Sequence, residues 1–420
     1  MTSGETDLDI AIVGAGAAGL MAAIWAGRTA ATLGRPQRIA AFDGAKTLGA
    51  KILVAGGGRC NVTHHAVTEA EYAGSSRNAI RKVLLRFPVD DTVLFFKELG
   101  VELKREETGK LFPVTDRART VLDALLAEVR RLNVELVNPC RVHSVDRLAD
   151  DFRLATANGD RFARTVILAT GGKALPLTGS DGAGFEMAKS LGHTLTPHTF
   201  ASLVPLLLPK DHWLLALSGV AAPVTLSVSD PSGKRHESFS NALLITHFGL
   251  SGPAVLDISR YWSARALQND PVQLRINWLP GLGLPEADQL LLDIGSLSLA
   301  RVLGGRLPER LARALCEAQG IDPSRAGHTL KRDERRALAA GLTDLSVPVI
   351  GDRGFTFAEA TAGGVPLSEV VLETMGSRRC PGLHLCGEVL DVDGRVGGFN
   401  FQWAWASGFV AGRATASLPE

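Results

Sequence analysis

Short apolar runs alternate with a helix-like segment at the start of the chain. Residues 8–13, LDIAIV, are mostly apolar, as in a strand buried inside a parallel sheet. Residues 20–33 are rich in alanine and have helical periodicity, and a second apolar run follows at 38–42. This order of strand, helix and strand predicts a βαβ unit and an α/β fold class.

The pattern changes near residue 194. Residues 219–230, GVAAPVTLSVSD, and residues 272–280, VQLRINWLP, alternate apolar and polar positions as antiparallel strands do. From 285 to 342 the periodicity becomes helical. The middle of the chain is therefore predicted to be β-rich first and helical afterwards.

Strand-like runs that end in glycine return on both sides of this middle region. RTVILATGG at 164–172 and GLHLCGEVLDVDG at 382–394 are each predicted to contain a buried strand, and 397–412 begins with two glycines and continues as a helix. Trp403 and Trp405 are two positions apart and cannot share one helix face, so one of them is predicted to lie in the core.

The first apolar run leads directly into GAGAAG, residues 14–19. In a dinucleotide-binding turn, Gly14 permits the tight bend and Gly16 lets backbone amides approach a pyrophosphate. Gly19 lets the following helix lie close to the sheet, with its N-terminus facing the phosphates. The strand before and the helix after supply the context that this motif requires.

The second apolar run ends in Asp43, where an acid is placed to hold a ribose hydroxyl. The neighbouring GAKTLGAK, residues 44–51, superficially resembles a phosphate loop. Ala50 stands where that loop has its lysine, and no Ser or Thr follows Lys51 to hold magnesium. A phosphate-loop NTPase is therefore excluded.

The distant C-terminal strand favours FAD over a nicotinamide nucleotide as the resident cofactor. An extended FAD needs a second chain segment to complete its site, and Glu388 lies where it can accept hydrogen bonds from the ribityl chain. The helix after Gly397 and Gly398 can direct its positive N-terminus at the electron-rich edge of a flavin.

Composition narrows the class of protein. The formal net charge is +1, which gives no overall attraction to nucleic acid or anionic membrane. Five scattered cysteines predict neither a disulfide framework nor a metal site. With no long apolar span and an acidic start (MTSGETDLD) unlike a signal peptide, we expect a cytoplasmic protein.

Several blocks together resemble one family. GAGAAG, AGGGRCNVT, GSDGAGFEMAKSLGH, LLITHFGLSGPAVL, AGGVPL and GLHLCGEVLDVDGRVGGFNFQWAWASG are similar to those of the YhiN/BaiN-like family of FAD-dependent oxidoreductases. The resemblance spans nearly the whole chain and thins between about 280 and 350. Asp43 is a departure, because flavoproteins of this type often have a glutamate there.

This resemblance implies an α/β, Rossmann-like FAD-binding domain interrupted by a β-rich, barrel-like domain that carries a helical insertion. The expected limits are 1–194 with 352–420 for the FAD domain, 195–280 with 343–351 for the β-rich domain, and 281–342 for the insertion. It also implies reduction of an activated C=C bond, in uridine of ribosomal RNA or in a steroid-like enone. It permits oxidation of a small amine.

The three glycines in AGGGRCNVT are expected to let the backbone pass beside the flat flavin ring. Arg59 can balance pyrophosphate or reduced-flavin charge, and Asn61 can bond to the polar edge of the flavin. Cys60 has two interpretations: a buried inert thiol, or the acid that protonates one carbon of the double bond while the flavin hydride goes to the other.

Two further features have competing interpretations. His247, in THFGLSGP, is either a structural histidine or a catalytic group facing the flavin. Residues 301–340 contain nine Arg or Lys against five Asp or Glu, which indicates either a solvated helical face or an RNA-docking surface.

Cys60 and His247 are thus the predicted catalytic residues, with no metal. The cofactor, non-covalent FAD, is predicted to contact Gly14, Gly16, Ala17, Ala18, Gly19, Asp43, Lys51, Gly57, Gly58, Arg59, Cys60, Asn61, Val142, Thr170, Gly171, Gly387, Glu388, Gly398, Phe399, Asn400 and Gln402. NAD(P)H is expected to bind only transiently, since no second GxGxxG is present. A peroxide-forming amine oxidase and a non-catalytic flavoprotein are the alternatives to a reductase.

Overall fold

The computed structural model describes residues 6–418 and is a mixed α/β protein with a Rossmann-type domain, as predicted. The chain divides into two compact units: residues up to 200 and from 359 onward form the first, and residues 201–358 form the second. The three-part division inferred from the sequence stays a prediction. The acidic start falls largely on residues 1–5, which lie outside the described residues.

Strands and helices alternate through the described residues. The strands are β1 (Leu8–Val13), β2 (Ile39–Phe42), β3 (Thr63–His64), β4 (Tyr72–Gly74), β5 (Leu103–Arg105), β6 (Lys110–Pro113), β7 (Glu135–Val137), β8 (Val142–Arg147), β9 (Phe152–Thr156), β10 (Gly159–Leu168), β11 (Phe200–Ser202), β12 (Leu206–Leu207), β13 (Ala221–Ser229), β14 (Arg235–Thr246), β15 (Gly249–Ser251), β16 (Gln273–Asn277), β17 (Leu345–Val347), β18 (Gly351–Asp352), β19 (Ala360–Ala362), β20 (Val370–Val371), β21 (Gly376–Ser377), β22 (Leu383–Leu385) and β23 (Val392–Gly394). The α-helices are α1 (Ala17–Thr32), α2 (Ala50–Gly58), α3 (Arg77–Leu84), α4 (Val89–Glu98), α5 (Ala118–Arg131), α6 (Ala183–Ser190), α7 (Pro253–Leu267), α8 (Leu284–Leu292), α9 (Leu299–Gly304), α10 (Glu309–Ala318), α11 (Arg332–Thr343) and α12 (Phe399–Ala416).

The first unit is built on a twisted sheet with the order β20, β21, β22, β10, β1, β2, β7. Strands β22, β10, β1, β2 and β7 are parallel. Strand β1 lies between two neighbours and is almost completely buried, which explains its apolar sequence. Because the carboxyl ends of parallel strands share one edge of the sheet, the segments after β1, β2, β10 and β22 come together there.

Helix α12 lies directly against α1, the helix of the dinucleotide motif. A Cβ atom at Gly408 would stand 2.5 Å from the carbonyl oxygen of Ala18, and one at Gly412 would stand 2.2 Å from that of Ala22. Any side chain at these two positions would therefore push the helices apart. The C-terminal helix is in this way fixed to the start of the nucleotide-binding motif.

Both tryptophans near the start of α12 are buried, so the prediction that only one lies in the core is wrong. Trp403 is 2% exposed and Trp405 is 0% exposed. Each indole N–H donates to a backbone carbonyl, that of Gly387 at 3.1 Å for Trp403 and that of Val62 at 2.8 Å for Trp405. Helix α12 is buried on nearly every side, so two tryptophans on different faces of it can both be buried.

The second unit is built on an antiparallel sheet with the order β17, β16, β13, β14, β15, β12, β18. Alternate residues of β13, namely Ala222, Val224, Leu226 and Val228, are buried, as the sequence alternation predicts. Helix α7 packs on β13 and β14, and the helices α8 to α11 contribute apolar side chains to the same core.

Glu128 on α5 joins that helix to α1 through a nearly buried ion pair. Its side chain is 6% exposed and accepts hydrogen bonds from Nε of Arg131 and from Nε of Arg28, both at 2.7 Å. These contacts, with the bonds from Arg131 contributing most, lower the pKa of Glu128 to about 2 although burial acts in the opposite direction.

We expect Glu128→Gln to lower the free energy of unfolding at pH 7 by about 2 kcal/mol. The pKa of Glu128 in the folded state, about 2, lies below its ordinary value of 4.5, so this contribution is present above pH 4.5 and is lost as pH falls towards 2. Urea unfolding at pH 7 and pH 3 should therefore show a difference that shrinks in acid. As a control, Glu98→Gln removes a carboxylate that is 50% exposed and should have little effect. An equal loss at both pH values would contradict this account.

Candidate flavin site

The turn after β1 has the geometry of a dinucleotide-binding loop. A Cβ atom at Gly19 would stand 1.8 Å from the carbonyl oxygen of Gly14, so helix α1 can begin here only because position 19 is glycine. A Cβ atom at Gly16 would meet no protein atom within 4 Å. The helix N-terminus therefore faces open space at the point where a pyrophosphate would approach.

Asp43, at the end of β2, is tied to this turn. One carboxylate oxygen accepts from the backbone N–H of Ala15 and the other from that of Ala45, both at 2.8 Å. A carboxylate can accept about four hydrogen bonds, so acceptor capacity remains for a ribose hydroxyl. The aspartate thus fixes the turn in place, and its contact with the ribose stays a prediction.

An ion pair links two predicted cofactor residues that are far apart in the sequence. Lys51 Nζ lies 2.5 Å from Glu388 Oε2, and Glu388 Oε1 accepts from the N–H of Thr361 at 2.7 Å. The Thr361 hydroxyl oxygen in turn accepts from the N–H groups of Lys173 and Ala174. The network connects the segment after β10 and strand β19 with the segment after β22.

Thr361 was not among the residues predicted from the sequence. It lies directly before the AGG of AGGVPL, one of the blocks that carries the family resemblance. The sequence near Thr361 gives only a weak indication of its role, because the residues that it contacts, at 173, 174 and 388, are distant in sequence. Its role depends on the folded sheet and not on neighbouring residues.

Two predicted cofactor residues carry buried polar atoms with no partner among the described residues, namely Thr170 Oγ1 and Asn61 Oδ1. A buried polar atom without a partner is costly unless something else bonds to it. A Cβ atom at Gly184 would stand 1.8 Å from Thr170 Oγ1, so the start of helix α6 also approaches this point closely. These features fit a bound FAD, whose hydroxyl and carbonyl groups could satisfy them.

Three more predicted cofactor residues lie in or near strands of the first unit. Val142 is the first residue of β8 and is paired with Thr156. Gly171 has a φ of +72°, and a Cβ atom there would stand 2.6 Å from Ser180 Oγ. Gly387, with a φ of +76°, follows β22. Their contacts with FAD stay predictions.

The segment AKILVAGGG is helical at its start, and its glycines lie in non-helical backbone. It forms helix α2, which is interrupted by non-helical backbone from Ala55 to Gly57. Gly56, Gly57 and Gly58 have φ values of +58°, +69° and +85°, and Cys60 has a φ of +62°. The glycines are therefore required first by the left-handed backbone of this kink. Passage beside a flavin remains a compatible second reason.

Arg59 is already occupied by protein groups. Its guanidinium stacks over the Phe112 ring at 4.1 Å and lies 2.6 Å from Glu106 Oε1 and 3.6 Å from Asp116 Oδ1. These contacts fasten the kinked segment to the β5–β6 hairpin. The predicted contact between Arg59 and the cofactor is not needed to explain this residue, and it stays a prediction.

Cys60 is completely buried, and its backbone N–H donates to the carbonyl oxygen of Ala55 at 3.0 Å. Desolvation by burial raises the pKa of its thiol to about 12. The side chain is consequently a neutral S–H group at physiological pH. It holds a proton that it could donate, whereas it is not a thiolate nucleophile.

The start of α12 is held by several of the predicted residues. Gly398 precedes the helix, and a Cβ atom there would stand 2.7 Å from the backbone carbon of Thr63. Phe399 stacks on the His64 ring with centroids 5.0 Å apart. Asn400 bonds to both the N–H and the C=O of Gly394.

Gln402 bonds to Thr63, to Thr92 and to the carbonyl oxygen of Phe87. It is 1% exposed, and its side-chain amide is used within the protein to join α12 to β3 and α4. The free amides of the first helical turn, rather than the Gln402 side chain, are the groups available to a flavin edge.

His247 belongs to the second unit. It lies in the two-residue turn between β14 and β15, is exposed, and meets the Phe248 ring edge-on with centroids 5.0 Å apart. Its predicted catalytic role stays a prediction.

In the basic segment 301–340, several arginines have carboxylate partners. Arg313 pairs with Glu309, Arg325 with Glu334 and Arg335 with Asp288. Arg332 and Arg336, on the same helix as Arg335, are exposed. Part of the excess charge is thus available at the surface.

No described helix is long and apolar enough to cross a membrane. Within residues 6–418, no group of three or more His, Cys, Asp or Glu side chains is arranged to hold a metal ion.

A parallel sheet with a glycine turn after β1, an acid after β2 and a C-terminal strand and helix beside them is an arrangement found in FAD-dependent oxidoreductases. The chain belongs to the HI0933-like protein Rossmann domain family, whose pattern matches residues 8–414. This confirms the family resemblance seen in the sequence motifs.

Two relatives are similar over almost their whole length. The chain is 34% identical to the 3-dehydro-bile acid delta(4,6)-reductase of Clostridium scindens, over 98% of this chain and 99% of the relative. It is also 34% identical to the ribosomal RNA dihydrouridine synthase of Escherichia coli, over 96% of both chains. The solved structure of 3-ketosteroid delta1-dehydrogenase from Sterolibacterium denitrificans shares the fold, with a TM-score of 0.50 at 11% identity over 98% of this chain and 99% of that one.

A matched pair of glycine substitutions separates cofactor binding from folding. Gly16 has φ −81° and ψ −163°, which alanine also adopts, and its added Cβ would meet no protein atom. We therefore expect Gly16→Ala to fold with normal thermal stability in the FAD-free state and to bind FAD about tenfold or more weakly. Gly19→Ala should instead destabilise the FAD-free protein. FAD titration by fluorescence quenching and melting of the apoprotein provide the two readouts, and normal FAD affinity in Gly16→Ala would contradict the placement of the pyrophosphate.

Proposed function

We propose that this chain is a FAD-dependent reductase of a carbon–carbon double bond conjugated to a carbonyl group, with NAD(P)H as the electron source. The observation that carries the proposal is the pair of relatives at 34% identity, a bile acid delta(4,6)-reductase and a ribosomal RNA dihydrouridine synthase. Dihydrouridine forms when the C5=C6 bond of uridine is reduced, and a 3-oxo delta(4,6) steroid also has double bonds conjugated to a carbonyl. Both enzyme names therefore describe the reduction of a C=C bond that is conjugated to a carbonyl group.

The substrate is accordingly either uridine in ribosomal RNA or a steroid-like enone. Both are flat at the reacting bond, and both become electron-deficient at the carbon β to the carbonyl. When bound, FAD supplies the two-electron reduction of such a bond. The residues of this chain must then orient the cofactor, exclude water and provide one proton.

The predicted cofactor residues divide this work. The turn from Gly14 to Gly19 would receive the pyrophosphate at the N-terminus of α1, and Asp43, which holds that turn, would receive the ribose. Glu388 is oriented by Lys51 and by the N–H of Thr361, which leaves it positioned to accept from the ribityl hydroxyls. The unpartnered oxygens of Thr170 and Asn61 support a polar ligand that bonds to them.

Cys60 is the proposed proton donor. Burial keeps its thiol protonated, because its pKa is raised to about 12. Transfer of the proton from Cys60 Sγ to the carbon next to the carbonyl completes the addition of hydrogen across the double bond, and solvent then reprotonates the thiolate. The raised pKa disfavours loss of the proton to water between turnovers.

An anaerobic titration of the purified yellow protein with NADPH and then NADH, followed by admission of air, tests the proposal. We expect bleaching of the flavin absorption that persists in air for longer than the turnover time and is reversed by a steroid enone or by uridine-containing ribosomal RNA. Reversal in air within seconds, with peroxide formed, would instead favour an amine oxidase. If neither nucleotide bleaches the flavin, NAD(P)H is not the electron source, and chemical reduction followed by the same acceptors tests the reductase activity alone.

Replacement of Cys60 tests the proton donor. Cys60→Ala should retain the FAD absorption spectrum and its bleaching by the electron donor, while the rate of C=C reduction falls by ~100- to 10,000-fold. Cys380→Ala is the matched control, because Cys380 is also a buried free thiol but lies in the segment between β21 and β22. Equal rates in the two variants would remove Cys60 from the mechanism.

A further inference from the structure

Arg353, in the second unit, is held between two aromatic rings. Its guanidinium carbon lies 4.2 Å from the centre of the Phe248 ring and 3.4 Å from the centre of the Phe357 ring. His247, next to Phe248, is exposed, and Phe357 is 45% exposed. We call His247, Phe248, Arg353 and Phe357 the Arg353 platform.

The backbone that carries the platform is fixed on both sides of β12. Leu206 is paired with Leu250 in β15 and with Asp352 in β18, which brings the β14–β15 turn and the segment after β18 to opposite sides of the same short strand. Leu208 N–H donates to the carbonyl oxygen of Phe248 at 3.2 Å, and Arg353 N–H donates to that of Pro205 at 3.1 Å. The platform is therefore preorganised rather than formed by loose loops.

The charge of Arg353 is not balanced by a carboxylate within the described part of the chain. This differs from Arg313, Arg325 and Arg335 of the same unit, which each pair with a carboxylate. The aromatic faces stabilise a cation without neutralising it. The N–H groups at the edge of the guanidinium consequently remain available to a negatively charged oxygen.

We propose that the Arg353 platform binds single-stranded RNA, with an unpaired base stacked on the exposed Phe357 ring and a neighbouring phosphate bonded to the Arg353 guanidinium. The proposal rests on the proposed reductase function, and it commits that function to RNA as its substrate class. Exposed aromatic rings beside unpaired arginines are the groups by which proteins hold unpaired bases. Arg332 and Arg336, exposed on α11 of the same unit, add positive charge that favours a polyanion.

Binding of a labelled RNA to the FAD-loaded, full-length protein tests the platform without requiring turnover. The probe is a single-stranded, uridine-rich RNA of about 12 nucleotides. Its binding is measured by fluorescence anisotropy between about 50 and 200 mM salt. Phe357→Ala should weaken binding ~5- to 150-fold with little change in salt dependence, because it removes a stacking contact. Arg353→Gln should weaken binding and reduce the salt slope by about one, because it removes a phosphate contact.

Two controls match these substitutions, one in the exposure of an apolar side chain and one in the charge removed. Leu292→Ala removes an apolar side chain that is 47% exposed, at the end of α8 in the same unit, and Arg35→Gln removes an exposed arginine from the first unit. Both should bind the RNA as the unchanged protein does. FAD content, read from the visible spectrum, should be equal in all variants, because the platform contains none of the residues placed around the cofactor.

Three outcomes would overturn the proposal. The unchanged protein could fail to bind the RNA, the Phe357 and Arg353 variants could bind as tightly as the controls, or Phe357→Ala could abolish only the spectral response of the flavin to a steroid enone. The last result would assign the platform to a small-molecule substrate. RNA binding that depends on the platform, in a protein that reduces no double bond, would leave the binding site standing and refute the proposed reductase.

Discussion

Backbone-to-backbone contact, at positions where no side chain fits, is the constraint on which the cofactor-binding unit depends. At Gly19 the start of α1 meets the carbonyl of Gly14, and at Gly408 and Gly412 helix α12 meets the carbonyls of α1. These close contacts bring β1 and α1 together with α12 at the edge of the sheet where β1 and β10 end. The polar groups of Asp43, Lys51 and Glu388 are placed by that meeting, and their chemistry follows from it.

The parts of the fold that could be predicted are those whose signals are local. LDIAIV followed by GAGAAG specifies a buried strand, a tight turn and a close helix within 26 residues, and the structure has them as β1 and α1. The alternation in 219–230 likewise appears as β13. In each case the residue types are determined by one strand face or one turn, so a short stretch of sequence is enough to predict the element.

The parts that could not be predicted depend on contacts between distant residues. The helical start of α2 could not be predicted from its sequence, because the three glycines that follow disfavour a helix. Arg59 was assigned to the cofactor because Glu106 and Asp116, its partners, are some 50 residues away. Thr361 could not be predicted because its partners are equally distant in sequence. Trp403 and Trp405 are both buried because α12 is enclosed by other elements, and the periodicity of its own sequence does not indicate this.

The insertion of β22 beside β10 has a consequence for biosynthesis. The first 200 residues supply most of the parallel sheet, yet β10 is completed on one side only when residues 383–385 join it, and α1 is covered by a helix that begins at Phe399. During translation the nascent chain therefore carries an open sheet edge until residues 383–385 have left the ribosome, and an uncovered alanine-rich helix face until α12 has followed. The parallel sheet is accordingly complete, and α1 is covered, only after β22 and α12 have been synthesised, so a chaperone that meets the chain earlier meets an incomplete sheet and an exposed helix face.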